Sequence, residues 1–197
     1  AISEAEFILE TAIALAPEKL DIKYQLFKIY SKLGKFAKAL SLANTLTEND
    51  ANNTFYQVAR ATALVGLGSI DEAIVIYQDL INNKKAEANI YLLLGHAYKA
   101  QGDIKAAVEA YQKAYSIDSA CGDAYWSLAN TKTYIFSDSE IQQMLHATQL
   151  HDVSDKDKIH LHFALGKAYE DKPAASKLHT NKYASAFEHY AAGNALQ

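Results

Sequence analysis

Seven histidines and one cysteine are the side chains of this sequence that first invite a metal or acid–base reading. His160 and His162 are the closest pair, but two positions apart on a helix they point to nearly opposite sides and do not easily share an ion. His146, His151, His179 and His189 lack a cysteine or carboxylate at ligand spacing. We read these histidines as surface or internally satisfied groups and assign no metal, cofactor or catalytic residue. Cys121 has no local histidine–carboxylate set to activate it and, being alone, cannot form an internal disulfide. No Gly-x-x-x-x-Gly-Lys-[Ser/Thr] loop follows a strand pattern, so nothing is set up to cradle a phosphate. An enzyme built on the histidines stays as the reading of a different class.

Bulk properties narrow the partners. A formal charge of -4 and a pI near 6.0 leave no basic stripe for nucleic acid. No run of 18 apolar residues offers a membrane span. No charged-then-apolar leader opens the chain, and cysteine is scarce, so the expected setting is reducing and cytoplasmic. Hydrophobic residues make up 50% of the chain, enough for a core.

The elements that position these residues are read best from 88–121. Tyr91, Leu94, Gly95 and Tyr98 fall at i, i+3, i+4 and i+7, one face of a helix. Gly102 follows, where a left-handed residue ends a helix. Ala107, Tyr111 and Ala114 mark one face of a second helix. Small residues let the two backbones approach, and tyrosines fill the space beside them. The same slots recur 34 residues back, with Gly102, Gly68 and Gly34 in one, and Ala107, Ala73, Ala39 and Ala5 in another. Units 20–53, 54–87 and 88–121 align without a gap, and self-similarity of this period predicts a helical solenoid. The pattern resembles the tetratricopeptide repeat. That resemblance implies an all-α right-handed superhelix of antiparallel helix pairs whose usual work is binding other proteins.

Outside this array the pattern changes. Residues 1–19 read as the second helix of a repeat, either cut from something longer or serving as a cap. Ser3 and Glu6 have capping-box spacing, and Ala5, Leu9 and Ala12 form its packing face. Residues 122–155 read as a degenerate repeat, with Phe136 and Ile141 where glycine and alanine are expected. Ser137 and Glu140 form a second capping-box pattern, starting a helix that runs to about Leu150. His151–Asp157 reads as a polar connection. Residues 156–197 form a divergent final repeat: Ile159, Leu165, Gly166 and Tyr169 on one helix, Tyr183, Ala186, Phe187 and Tyr190 on the next. Between them Lys172–Lys182 reads as an inserted loop, marked by Pro173 and its polar content.

Three strings in this last third are more distinctive: GDAYWSLANTKTYIFSDSEI (122–141), DKIHLHFALGKAYED (157–171) and YASAFEHYAAGNAL (183–196). They resemble the repeat region that precedes the catalytic domain of bacterial tetratricopeptide-repeat sulfotransferases. The resemblance implies a sulfotransferase domain beyond Gln197 in the parent protein, with this chain recruiting a partner or acceptor rather than reacting.

In stacked helix pairs the first helices line the concave wall. The period places Tyr24, Val58, Leu92, Trp126 and Phe163 on that wall, with Lys28, Thr62, His96, Asn130 and Lys167 one turn on and Lys99 beyond them. This is an apolar and aromatic seam beside a polar strip, suited to an extended peptide or a docked helix. Trp126, the sole tryptophan, either anchors such a ligand or packs on the neighbouring repeat. The lysines, asparagines and arginine of a carboxylate clamp are not matched beyond Lys28 and Asn89, so chaperone-tail binding is not supported. A spacer or oligomerisation module without a groove ligand is the remaining alternative.

Overall fold

A computed structural model describes residues 2–83, 87–172 and 182–197. The described residues form eleven α-helices and no strand. They are α1 (Ile2–Leu15), α2 (Leu20–Lys32), α3 (Phe36–Asn49), α4 (Thr54–Leu67), α5 (Ile70–Asn82) and α6 (Ala88–Gln101). There follow α7 (Ile104–Ile117), α8 (Gly122–Ala129), α9 (Asp138–Thr148), α10 (Asp155–Asp171) and α11 (Lys182–Ala195). Two compact units result, one of Ala1–Ala86 with His96–Gly102, the other of Glu87–Gly95 with Asp103–Gln197.

Local sequence explains where helices stop. Gly34, Gly68 and Gly102 all adopt positive φ, at 69°, 84° and 93°, and each is followed by a new helix within two residues. A side chain at such φ is strained, so glycine is the residue that ends each first helix cleanly. Where glycine is missing, at Phe136, the chain behaves differently. Helix α8 ends early at Ala129, Lys132 takes the left-handed turn at φ 61°, and Phe136 is buried against Tyr125 and Tyr134.

In the first unit, Leu26, Phe27 and Tyr30 of α2 pack with Ala39 and Ala43 of α3 and Ala59 and Ala63 of α4. Leu9 and Ile13 of α1 pack against the same core. Ala39, Ala73 and Ala107, the repeated small slot, are each fully buried. In the second unit, helices pack by a ring seated over a glycine. A Cβ on Gly95 would lie 2.5 Å from the Tyr111 ring, and one on Gly166 would lie 2.5 Å from Tyr190. The glycines thus admit a tyrosine from the following helix rather than a bare backbone. Gly122 is tighter, since a Cβ there would sit 2.2 Å from the carbonyl oxygen of Asp157, which brings α8 directly onto the start of α10.

Three local expectations are corrected. Ser3 is not an N-cap: α1 already includes Ile2, and the Glu6 carboxylate accepts from Lys35 Nζ at 2.6 and 2.7 Å instead. The connection after α9 ends at Ser154, not Asp157, because the Ser154 hydroxyl accepts from the Asp157 amide at 3.1 Å and starts α10 there. Tyr183 and Phe187 do not pack inward. They are 70% and 72% exposed, while Ala186 and Gly193 form the buried side of α11. The capping box at Ser137 and Glu140 is present with both of its hydrogen bonds. Most of the expected loop, including Pro173 and His179, lies outside the described residues.

Candidate interaction surface

In the first unit the expected wall residues start with Tyr24. Its ring stacks on Phe27 at 5.9 Å, meets Tyr56 at 5.9 Å, and carries the Lys28 ammonium 4.8 Å from its centre. Burial, then the neighbouring Tyr56, pushes the Tyr24 hydroxyl above its ordinary range, so it stays protonated. Lys28 is exposed and Val58 half-buried. The Thr62 hydroxyl is engaged within the fold: it donates to Val58 O at 2.8 Å and lies 3.3 Å from the Tyr77 hydroxyl. Burial pushes Tyr77 up to about 12. His96 and Lys99 are half-buried.

In the second unit three rings from three helices make successive contacts. Trp126 of α8 lies 5.6 Å from Phe163 of α10, and Phe163 lies 6.4 Å from Tyr190 of α11. All three are half-buried, as is Leu92. Trp126 therefore packs on its neighbour while part of its ring stays open to solvent. Asn130 is exposed, and its side-chain amide donates to Trp126 O at 3.0 Å. Lys167 is occupied on its own helix, by Asp171 at 2.9 Å and Glu170 at 3.4 Å. The Asp171 hydrogen bond is the chief reason its ammonium is held above the usual lysine range.

The chemistry weighed in the sequence has these positions. Cys121 is buried at the N-cap of α8, and burial pushes its thiol up to about 11, so it is no nucleophile near neutral pH. Among the described residues no three His, Cys, Asp or Glu side chains converge as a metal site. No helix of the described residues is long and apolar enough to cross a membrane. His146 and His151 are exposed. One arrangement was missed: His189 of α11 meets His162 of α10, Nδ1 to Nδ1, at 3.1 Å. The two lie 27 positions apart on separate helices, so no spacing rule could pair them. Their shared helix packing, signalled by Gly166 and Tyr190, was the available clue.

Comparison with known proteins fits this geometry. The tetratricopeptide repeat family matches residues 1–64 and, separately, 88–121. No curated protein matches the sequence. Among solved structures, MamA from Desulfovibrio magneticus is 17% identical with a TM-score of 0.53, covering 99% of this chain and 85% of that one. A thermophilic TPR protein from Thermus thermophilus is 18% identical with a TM-score of 0.58, covering 95% and 91%. The Cut9–Hcn1 hetero-tetramer of the APC/C gives 19% and 0.65, covering all of this chain and 37% of that one. At such identities the likeness establishes the fold. The chain carries tetratricopeptide repeats, and its fold class is the all-α solenoid of helix pairs.

Proposed function

We propose that this chain is a binding scaffold that takes a protein or peptide ligand on its first-helix surface and does not transform it. The observation that supports this best is the half-buried aromatic line Trp126–Phe163–Tyr190, apolar contact area left open to solvent in a molecule that has fully buried tyrosines elsewhere. The further residues proposed are Tyr24, Lys28, Val58, Thr62, His96 and Lys99 in the first unit and Leu92, Asn130 and Lys167 in the second. The proposed units remain 1–19, 20–53, 54–87, 88–121, 122–155 and 156–197. Cut9, a structural neighbour, is itself found in a complex with another protein, which agrees with this reading.

A displayed library of random peptides, selected on the full chain, tests it. Selected peptides should bind Trp126→Ala at least about tenfold more weakly than wild type, the loss of one buried aromatic anchor. Equal capture by both would remove Trp126 from the surface. Oligomerisation is the second reading, favoured by exposed Phe7, Ile8 and Leu15 on α1 and by Tyr183 and Phe187 on α11. Concentration-dependent light scattering of the unliganded chain separates it from a monomeric binder. The link to a sulfotransferase, and with it a bacterial cytoplasmic setting, rests on the three sequence strings and the composition alone. The gene downstream of Gln197 tests that link, where a strand followed by a Gly-, Ser- and Arg-bearing phosphate loop is the expected finding.

A further inference from the structure

Helix α11 is held on the fold through α10, with Ala186 and Gly193 as its buried residues. Among the described residues several contacts fasten it. Tyr190 sits over Gly166, meets the Phe163 ring and donates to Glu170 at 3.1 Å. Gly193 lies against His162 and Phe163. Lys182 donates to the carbonyls of Glu170 and Lys172, each at 3.1 Å. Tyr169 stacks on His189, and His189 also meets His162.

The geometry of that contact is specific. The Nδ1 atoms are 3.1 Å apart while the ring centres are 5.3 Å apart. Each nitrogen therefore lies close to the line between the rings, aimed at the other. Two bare nitrogens would repel, and so would two N–H groups. The arrangement is attractive only when one Nδ1 carries a proton and donates it to the other. We propose that the His162–His189 pair is a proton-operated latch, closed on α10 and α11 while the rings share one proton and opened when both are protonated.

Among the described residues, most carboxylates on and around α10 already have partners, so few could stabilise the doubly charged state. On α10, Glu170 and Asp171 hold Lys167, and Asp157 accepts from Ser154 and from the Gly122 amide. On α8, Asp123 pairs with Lys156; on α9, Glu140 accepts from Tyr115, Tyr134 and Ser137, and Asp138 pairs with Lys172. On α11, Glu188 is exposed. Tyr169 stacks on His189 at 5.6 Å, which offers a charged ring a partial cation–π return. Burial outweighs it. Burial first, then the charge of His162, pulls His189 down to about 4, and burial pulls His162 below its ordinary value. A released α11 regains the usual histidine value of about 6.5, so the released state binds more protons between those limits. The latch is fully closed above about 6.5 and is lost as pH falls toward 4.

Hydrogen exchange of the full chain, expressed as protection factors, tests the latch independently of any groove ligand. Between pH about 7.5 and about 5, wild-type amides of α11 should lose about tenfold or more in protection relative to those of α9. His189→Asn keeps a hydrogen-bonding amide opposite His162 but takes no proton, and its α11 should lose much less. Equal losses in wild type and variant, or no loss in wild type, would overturn the proposal. If the variant's α11 is already open at neutral pH, the imidazole nitrogen-15 spectrum of the wild type decides. One protonated and one bare Nδ1 above the window supports the latch; two rings titrating independently near 6.5 overturns it.

Discussion

Gly122→Ala should cost about 3 kcal/mol, at the upper end of what overpacking a tight site costs, and lower the melting temperature by about 6–12 °C. The added methyl would lie 2.2 Å from Asp157 O and 2.9 Å from its carbonyl carbon and Cα. These are backbone atoms at the first turn of α10, so no side chain can swing aside. Helix α8 would have to lift from α10, and the Gly122 amide would lose its 3.2 Å bond to the Asp157 carboxylate. Gly102→Ala is the control. Its methyl would meet nothing within 4 Å, so only the φ of 93° is strained, costing about 1–2 kcal/mol. Chemical denaturation of the two variants beside wild type reads both effects. A Gly122→Ala variant no less stable than Gly102→Ala would mean that the α8–α10 approach is wrongly described.

Tyr111→Ala should cost about 3–5 kcal/mol, the range for removing a large aromatic from a core. Tyr111 is fully buried, its ring covers Gly95, and burial pushes its hydroxyl up to about 12 with Ser127 as hydrogen-bond partner. The stronger test is a cycle with Gly95→Ala. Alone, that methyl collides with the Tyr111 ring at 2.5 Å; with the ring removed its three nearest contacts are gone. The double variant should therefore be more stable than the two single costs imply, by about 1–3 kcal/mol. Simple additivity, read from denaturation midpoints at constant slope, would deny that the ring sits in the glycine notch.

The same contrast explains what the sequence disclosed. Glycines at 34, 68 and 102 end helices because φ is a property of the residue itself, and all three take the expected left-handed turn. Alanines at 39, 73 and 107 are buried because the period that places them also places their neighbours. Properties decided by a distant partner were not legible. Ser137 and Glu140 cap a helix and Ser3 and Glu6 do not, although the spacing is identical, because Lys35 takes the Glu6 carboxylate. Tyr183 and Phe187 lie four apart like a packing stripe, yet the stripe that faces α10 runs through Ala186, Tyr190 and Gly193. Among the wall residues, the period placed Trp126 beside Phe163 but could not show that Thr62 and Lys167 are already engaged. The His162–His189 contact depends on how two helices 27 positions apart dock, which no periodicity encodes.

The most direct test of the binding account is hydrogen exchange of the full chain with and without a peptide selected from the displayed library. Ligand on the proposed surface should slow exchange in the first helices α8 and α10, around Trp126 and Phe163, and leave the second helices α7 and α9 unchanged. Protection confined to α7, α9 or the exposed face of α11, with α8 and α10 unaltered, would contradict it.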